Sequence, residues 1–335
     1  PLPDPNGAPA KGSETGPFLF VEGNYRRTYS HYRTAGKSLY DSAKTGAGAL
    51  MGRARDRKRV IVTGATGFVG ANLARRLAKD GHETHLLVRR GYNSWRIKDI
   101  YAQVLLHETD LTNEDDLTGV VAEIRPAWIF HLAVYGAYSW QRDYHQMVQT
   151  NIMGTMNLVQ ACLKTGFESF VNTGTSSEYG YQDHPPKETA CLAPNSDYAV
   201  TKASSTMFCR YMGQSRGVNM PTLRLYSAYG PFEEPGRLIP TLVREGLAGR
   251  LPPLVNPEVG HDFVFIDDVV DAYLLAAQKA GQEYGAIYNV GTGQQTSMRE
   301  VVATARRIMK IDAEPRWGSM PDRKWDTNIW VADSQ

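Results

Sequence analysis

The chain has 335 residues and a mass of 37.2 kDa, which suits one large α/β domain or two coupled domains. Its apolar content of 42% and its 31 glycines exclude both a disordered chain and a collagen-like chain. The sequence shows no apolar stretch long enough for a membrane helix, and its three cysteines are too few and too scattered for a disulfide framework or a metal site. We therefore expect a cytoplasmic protein that binds neither a membrane nor a metal.

Positive charge is concentrated in the first segment of the chain. Residues 1–59 carry 11 Lys and Arg against 5 Asp and Glu, whereas the remaining residues carry 26 against 30. Because the body is mildly acidic, a nucleic-acid-binding surface would have to lie in this first segment. Its basic run, 53–59, is more simply a solvated linker, so we expect no nucleic-acid partner. Residues 1–57 show little periodicity and are predicted to be a flexible leader or the remnant of a preceding segment.

From Arg59 onwards, short apolar runs alternate with helical patterns. The apolar runs cover residues 60–62, 84–88, 103–106, 127–130 and 169–172, and helical patterns cover 113–124 and 143–165. Short strands that are buried on both faces and alternate with helices predict a parallel sheet with right-handed crossovers. The pattern therefore predicts an α/β fold with a Rossmann-type doubly wound sheet.

The predicted domain division follows from the point where this alternation weakens. We expect residues 58–230 to form the Rossmann domain, with residues 262–292 returning to it. After Pro231 the apolar islands become less regular. Residues 231–261 and 293–335 are therefore predicted to form a smaller C-terminal lobe that binds the substrate.

A glycine-rich turn, Gly64-Ala-Thr-Gly67-Phe-Val-Gly70, directly follows the first predicted strand. In this spacing the first glycine allows a tight turn, the second lets the backbone approach a pyrophosphate, and the third lets the following helix pack closely on the strand. The N-terminus of that helix presents N–H groups to the phosphates. The strand before the motif and the amphipathic helix after it indicate a dinucleotide-binding turn. The predicted cofactor-binding residues here are Gly64, Thr66, Gly67, Phe68, Val69 and Gly70.

The end of the second predicted strand bears on the choice of cofactor. An NAD-binding chain has an acidic residue there to bond the ribose 2′-hydroxyl, whereas this chain has Val88 followed by Arg89 and Arg90. Since a guanidinium can pair with a 2′-phosphate, the sequence favours NADP(H) over NAD(H), with Arg89 as the binding residue. Asp110-Leu111, after the third strand, occupies the position expected to contact the adenine.

Tyr198-Ala-Val-Thr-Lys202 lies at the predicted start of a helix. The i, i+4 spacing puts Tyr198 and Lys202 on one face of that helix, about one turn apart. A nearby ammonium group favours the phenolate and should lower the pKa of Tyr198 toward neutrality, where tyrosine can act as a general acid or base. We therefore expect Tyr198 and Lys202 to be catalytic.

With these two motifs in place, the chain resembles the extended short-chain dehydrogenase/reductases, a family of nucleotide-sugar epimerases, dehydratases and ketoreductases. The resemblance covers about residues 58–333. Its further matching segments are 131–133 (His-Leu-Ala), 151–155 (Asn-Ile-Met-Gly-Thr), 173–180 (Thr-Gly-Thr-Ser-Ser-Glu-Tyr-Gly), 223–231, 262–269 and 289–293.

The resemblance implies roles for individual residues. Tyr198 would be the acid/base, Lys202 would also hold the nicotinamide ribose, and Thr175, with Ser176 as its neighbour, would bond the reacting sugar oxygen. The backbone of Leu132 and Ala133 would line the cofactor channel, and His131 is expected to be a packed strand-end histidine rather than a proton carrier. The expected substrate-binding residues are Asn151, Ser177, Glu178, Arg237, His261 and Arg323. We also expect a homodimer.

Two departures from the family pattern narrow the predicted reaction. Dehydratases of the family have an acidic residue one or two positions after the Ser/Thr, but this chain has Ser176 and Ser177 there, with Glu178 one residue later. An arginine also usually precedes Asp262, where this chain has His261; Arg323 or Arg237 could supply that charge. We therefore predict an NAD(P)-dependent nucleotide-sugar oxidoreductase acting at a hexose ring carbon, C4 favoured, as a 4-epimerase or a 4-ketoreductase.

Two alternatives remain open. Glu178 keeps a 4,6-dehydratase possible, since a shift of one residue in its loop would restore the carboxylate. A catalytically silent dinucleotide-sensing protein is disfavoured, because such relatives lose the tyrosine or the lysine and this chain has both.

Overall fold

The computed structural model describes residues 57–279, 283–320 and 329–333. Residues 1–56 of the predicted leader lie outside these ranges, and so does Arg323. The strands are β1 (Arg59–Thr63), β2 (Glu83–Val88), β3 (Leu105–Glu108), β4 (Trp128–His131), β5 (Ser169–Thr175), β6 (Thr222–Leu225), β7 (Ser227–Tyr229), β8 (Gly260–His261), β9 (Phe263–Phe265), β10 (Ile287–Val290) and β11 (Thr296–Ser297). The helices are α1 (Phe68–Lys79), α2 (Glu114–Ile124), α3 (Tyr144–Met147), α4 (Gly154–Thr165), α5 (Asp197–Arg216), α6 (Leu238–Leu247), α7 (Ile266–Gln278) and α8 (Met298–Met309).

Seven strands form one sheet in the order β3-β2-β1-β4-β5-β6-β10, and every neighbouring pair is parallel. The strand order reverses between β1 and β4, which makes the carboxyl ends of these two strands the switch point where such sheets bind ligands. The predicted Rossmann-type doubly wound sheet is confirmed.

The core lies on both faces of this sheet, as the apolar runs predict. Val60 and Val62 pack in a cluster with residues of α1 and α7, whereas Ile61, between them, packs on the other face with residues of α2, α4 and α5. All three side chains are fully buried, and burying a side chain of this kind contributes about 1.5–3 kcal/mol. The strand that carries the glycine turn is therefore held rigidly from both sides.

The third predicted strand differs from the observed one. β3 begins at Leu105, two residues later than predicted, and Leu105 and Leu106 are 49% and 38% exposed. The reason is that β3 is the edge strand of the sheet, so its side chains are not covered on both faces as the pattern suggested.

The predicted helix over 143–165 is interrupted. It consists of α3, a π-helical turn at Val148–Met153, and α4. The backbone carbonyl of Asn151 accepts hydrogen bonds from the side chains of Thr155 and Ser205. Such side-chain bonds compete with the regular helical pattern, and π turns are frequent at functional sites.

The C-terminal part contains a small apolar cluster of its own, built on Leu242 of α6, Leu254 and Val302 of α8. Two short ribbons, β7 with β9 and β8 with β11, lie outside the main sheet. That this part forms the substrate lobe stays a prediction. Within the described ranges, no helix has the length and apolar character needed to cross a membrane, and no group of three His, Cys, Asp or Glu side chains could hold a metal ion.

Candidate active site

The glycine turn after β1 has the geometry of a dinucleotide cradle. Gly64 has φ +68° and lies so close to the end of β4 that a Cβ on it would be 2.5 Å from the carbonyl carbon of Leu132 and 2.6 Å from the Ala133 nitrogen. A Cβ on Gly70 would collide with the Gly64 carbonyl, so the third glycine lets α1 pack against the turn. The turn leaves room for the backbone to approach a pyrophosphate.

The N-terminus of α1 is open to an anion. Gly67 is the residue before the helix, and it provides no side-chain cap, while the first turn contains no acidic residue. The first N–H groups of α1 and its positive dipole end are therefore available for phosphate oxygens. The residues present fit a nicotinamide dinucleotide.

His131 lies in a buried chain of hydrogen bonds that runs from Thr63, at the end of β1, to Thr155 in α4. Thr63 Oγ1 accepts from the Leu132 and Ala133 N–H groups, both at 3.1 Å, so its own proton is donated to His131 Nδ1 at 2.8 Å. His131 Nε2 then donates to Thr155 Oγ1 at 2.8 Å. Burial, with the charge of Lys202 as a smaller contribution, lowers the pKa of His131 to about 3. The packed strand-end histidine predicted from the sequence is confirmed, and its low pKa keeps it neutral near pH 7.

The cofactor-binding residues predicted beyond the turn lie at the carboxyl ends of β2 and β3. Val88 is buried, whereas Arg89 is exposed. Asp110 is also exposed, and its Oδ1 accepts from the Thr112 N–H at 2.9 Å and hydroxyl at 2.8 Å. Leu111 packs against Gly154. Arg89 and Asp110 are thus accessible to a ligand, and Leu111 shapes the loop between them and α4.

Tyr198 and Lys202 stand in the first two turns of α5, which begins after Ser196, whose hydroxyl accepts from the Ala199 N–H at 3.2 Å. The Tyr198 hydroxyl is hydrogen-bonded to Thr175 at the end of β5. The structure therefore places Tyr198 beside Thr175, with Lys202 one turn further along the same helix; their catalytic roles stay predictions.

The expected pKa of Tyr198 is corrected. Burial raises the pKa of Tyr198 to about 12, against the opposing hydrogen bond from Thr175 and the charge of Arg237. Lys202 is itself only 3% exposed, and burial lowers the pKa of its ammonium group, against the charge of Glu178. Loss of hydration thus outweighs the predicted lowering of the tyrosine pKa, because it penalises the charged forms of both side chains.

The expected roles of Glu178 are wrong. Glu178 is fully buried, and its Oε2 pairs with Arg224 Nε at 2.8 Å. Its Oε1 accepts from the Thr175 N–H at 2.9 Å and from Thr206 Oγ1 at 3.0 Å. Both carboxylate oxygens are thus paired inside the protein and neither is accessible to a sugar. Glu178 therefore supports Thr175 structurally and is not a substrate-binding residue.

The two serines after Thr175 differ in accessibility. Ser176 is buried, 7% exposed, whereas Ser177 is half-buried and its N–H and hydroxyl both contact Thr175 Oγ1 at 3.3 Å. Ser177 is therefore the hydroxyl beside Thr175, and the expected contribution of Ser176 to the reacting group is not supported by this placement.

Asn151 is also reassigned. It is 1% exposed. Its Oδ1 accepts from the Tyr135 N–H and its Nδ2 donates to the Tyr135 carbonyl, both at 2.8 Å. Its Nδ2 also donates to Thr201 Oγ1 at 2.9 Å. Because the amide is paired on both sides, Asn151 positions the loop after β4 against α5 and does not bind substrate directly.

The remaining predicted substrate residues lie in or near the C-terminal part. Arg237 is exposed just before α6, and its Nη2 donates to the Ala137 carbonyl at 3.2 Å. Its charge acts on the pKa of Tyr198, so it lies near the Tyr198 hydroxyl. His261 lies in β8, and its ring packs edge-on against those of Phe263 and Trp330. Contact of either residue with a substrate stays a prediction.

Sequence reasoning missed two charged residues near the site. Arg224 stands in the otherwise uncharged strand β6, and a charge inside a central strand is a signal of a buried partner. Glu233, two residues after the matching segment 223–231, has a pKa raised by burial to about 7, and no pattern in the sequence distinguishes it from its neighbour Glu234.

Comparison with known proteins agrees with this geometry. The model of the NAD dependent epimerase/dehydratase family matches residues 60–291. The chain belongs to this family. It is 32% identical to a UDP-glucose 4-epimerase of Mycolicibacterium smegmatis over 77% of this chain and 85% of that protein, and 28% identical to a GDP-6-deoxy-D-mannose reductase of Pseudomonas aeruginosa over 77% and 82%. The structure of a Thermus thermophilus UDP-glucose 4-epimerase in complex with NAD matches with a TM-score of 0.71 and 26% identity, covering 82% of this chain and 90% of that one.

Family membership identifies the chain as an enzyme of the extended short-chain dehydrogenase/reductase type that acts on nucleotide sugars. The expectation drawn from the glycine turn, Tyr198 and Lys202 is confirmed at this level.

Proposed function

We propose that the enzyme acts at C4 of a nucleotide-hexose, as a 4-epimerase or as a 4-ketoreductase. The observation that carries the proposal is the hydrogen bond between the Tyr198 hydroxyl and Thr175, with Lys202 one turn further along α5. This arrangement provides a proton donor and an orienting hydroxyl for one sugar oxygen. The glycine turn lies on the other side of His131, at the carboxyl ends of β1 and β4.

The chemistry divides between the cofactor and the protein. NAD(P), when bound, accepts a hydride from C4 or donates one to it. Thr175 orients the C4 oxygen, and Tyr198 donates or removes its proton. Because burial raises the pKa of Tyr198 to about 12, its phenol is protonated at neutral pH and stands ready as the acid that reduction of a 4-keto sugar needs. Acting as a base requires positive charge nearby, and the Lys202 ammonium group is the candidate.

The two modes differ in the fate of the keto sugar. If it rotates in the site and is reduced on its other face, the net reaction is 4-epimerisation. If a 4-keto sugar is supplied from outside, the net reaction is reduction to the alcohol. Similarity to both an epimerase and a reductase supports this pair of activities.

The dehydratase alternative loses its main support. Elimination of water needs an acid near the C6 hydroxyl, and Glu178 was the carboxylate considered for that role. Glu178 is instead fully buried and paired with Arg224. The product should therefore keep its C6 substituent.

For the cofactor, we propose NADP(H) in preference to NAD(H). The support is the buried Val88 in place of an acidic residue and the exposed Arg89 beside it, because a guanidinium pairs favourably with a 2′-phosphate. The proposal departs from the similar Thermus thermophilus enzyme, which was crystallised with NAD.

A thermal-shift screen tests the proposed substrate class. UDP-, GDP-, CDP- and dTDP-hexoses are added to the protein with and without NADP(H), and a ligand that binds only the native state raises its melting temperature. Similarity to UDP-sugar enzymes leads us to expect the largest shift with a UDP-hexose. If no nucleotide-hexose shifts the melting temperature while the dinucleotide does, the substrate class is wrong.

The cytoplasmic location and the homodimer also stay proposals. The three cysteines are free thiols, which suits a reducing compartment. Light scattering of the purified protein measures the assembly state, and a monomer at micromolar concentration would refute the dimer.

A further inference from the structure

One carboxyl oxygen near the site has no hydrogen-bond partner among the residues that the structure describes. Glu233 lies in the loop after β7, and its Oε2 is buried and accepts no hydrogen bond from any residue in the described ranges. The Gly230 N–H bonds to the carboxyl group, and burial raises its pKa to about 7. A buried polar atom left unpaired lowers the stability of the folded protein. The unpaired oxygen of Glu233 therefore points to a hydrogen bond supplied by a ligand.

The residues on both sides of Glu233 are held in place by contacts with other parts of the protein. The Pro231 carbonyl accepts from Asn72 Nδ2 at 2.9 Å, and the Phe232 carbonyl accepts from Arg96 Nε at 2.7 Å. Glu234 forms an ion pair with Arg96 at 2.8 Å. The flanking residues are thus fixed to α1 and to the segment after β2, while Glu233 makes neither contact.

The backbone next to Glu233 is strained. Phe232 has φ +69°, a conformation that a bulky side chain rarely adopts and that concentrates at functional sites. The strain is maintained because Arg75 lies over the Phe232 ring, with its guanidinium carbon 3.7 Å from the ring centroid. The loop conformation is therefore imposed by contacts on either side of Glu233.

The charge of Arg237 acts on both Glu233 and the Tyr198 hydroxyl. The charge of Arg237 lowers the pKa of Glu233 and also that of Tyr198. The Arg237 guanidinium carbon is 5.6 Å from the centroid of the Tyr138 ring, and the charge of Glu233 acts on Tyr138 as well. Glu233 and Tyr198 thus both lie within range of the charge of Arg237, which places Glu233 on the side of the loop that faces Tyr198.

We propose that Glu233 is a substrate-binding residue whose Oε2 takes a hydrogen bond from a hydroxyl group of the sugar. This inference rests on the proposed function, since it names a contact of the same site. A hydroxyl group suits the position because it can donate to a carboxylate and accept from a carboxylic acid. A carboxylate substituent at the same place would be repelled by the ionised form of Glu233.

The test compares neighbouring glutamates that differ in their partners. Glu233→Ala and Glu233→Gln remove the unpaired carboxyl group, and Glu234→Gln, the matched control, removes a carboxylate that already pairs with Arg96. Calorimetry measures the binding of UDP-glucose, UDP and NADPH to the wild type and to each variant, and thermal melting is recorded without ligand.

We expect Glu233→Ala to weaken UDP-glucose binding by roughly 10- to 100-fold, to leave UDP and NADPH binding unchanged, and to melt no lower than the wild type. Glu234→Gln keeps an amide oxygen that can accept from Arg96, so it should leave the loop in place and UDP-glucose binding unchanged. The inference is overturned if the Glu233 variants bind UDP-glucose as the wild type does, if UDP or NADPH binding falls equally, or if the variants melt well below the wild type. A wild type that binds UDP but no nucleotide-hexose would instead refute the proposed function.

Discussion

Two regions near the proposed catalytic residues differ in how their buried polar groups are paired. One is the wall, formed by His131, Asn151 and Glu178, and the other is the loop over residues 231–237. In the wall, His131, Asn151 and Glu178 are buried with their polar atoms paired inside the protein. In the loop, Glu233 has a buried oxygen that no described residue satisfies. Burial alone therefore does not reveal a functional group. What distinguishes the two regions is whether the hydrogen-bonding atoms of the buried group are already paired within the protein. Substitutions in the wall should therefore lower the free energy of unfolding, whereas substitution of Glu233 in the loop should weaken substrate binding.

Glu178→Gln should give the largest change in the free energy of unfolding. It removes one partner of a fully buried ion pair and leaves Arg224 uncompensated, which costs about 3–5 kcal/mol. Chemical denaturation measures the loss. The control, Glu168→Gln, removes an exposed ion pair with Lys58 and should cost less than about 1 kcal/mol.

Gly174→Ala tests the same pair without changing any charge. A Cβ on Gly174 would lie 2.8 Å from Glu178 Oε1 and 3.0 Å from Arg224 Cγ, so the ion pair must shift to accommodate it. We expect a clear loss of stability. If both variants unfold like the wild type, the wall does not depend on this pair.

Tyr198→Phe should reduce turnover by at least roughly 100-fold, as the loss of a general acid or base does, with little effect on folding or on dinucleotide binding. Steady-state kinetics with a nucleotide-hexose gives the size of the loss. Tyr211→Phe, on the 65% exposed tyrosine of the same helix, is the matched control. An unchanged rate for Tyr198→Phe would remove the assigned acid/base and revive the silent dinucleotide-sensing alternative.

Arg89→Ala should narrow the preference for NADPH over NADH. We expect the wild type to favour NADPH by roughly 10- to 100-fold, since a charge-assisted bond to a phosphate contributes about 1.5–3 kcal/mol. Fluorescence titration of both dinucleotides measures the preference. Arg216→Ala removes another exposed arginine and should leave it unchanged, whereas tighter NADH binding by the wild type would contradict the cofactor proposal.

His131 should make the protein less stable as the pH falls. Its folded-state pKa of about 3 lies below the unfolded value of about 6.5, so the unfolded state binds the proton first. The stability contributed by neutral His131 is therefore complete above about pH 6.5 and decreases toward pH 3, by about 2 kcal/mol at pH 5. Unfolding measured across this range should be less pH-dependent in His131→Asn than in the wild type, whereas His184→Asn, on an exposed histidine, should change little.

The features predicted correctly are those encoded in short stretches of sequence. The strand before Gly64, the helix after Gly70 and the spacing of Tyr198 and Lys202 all depend on residues a few positions apart. A one-turn spacing remains on one helix face whatever packs around it. These patterns were sufficient for the doubly wound sheet, for the glycine turn between β1 and α1, and for Tyr198 and Lys202 on one helix; the cofactor-binding and catalytic roles of these residues stay predictions.

The features predicted wrongly depend on contacts between distant segments. Glu178 appeared available because its partner, Arg224, is 46 residues away and in another strand. The pKa of Tyr198 is raised because burial, which the motif does not encode, outweighs the hydrogen bond and charge that lower it. Glu233 and Glu234 are adjacent in sequence, and only the packing of Arg96 against one of them separates their roles.

Product analysis with UDP-glucose and NAD(P) tests the central claim most directly. The protein is incubated with this nucleotide-hexose, and the product is examined by mass spectrometry and by proton NMR at C4. With Glu178 paired to Arg224 and Tyr198 beside Thr175, we predict a product of unchanged mass with inverted configuration at C4 or, when a 4-keto sugar and NADPH are supplied instead, the corresponding alcohol. Loss of one water from the nucleotide-hexose, giving a 4-keto-6-deoxy sugar, would contradict the account.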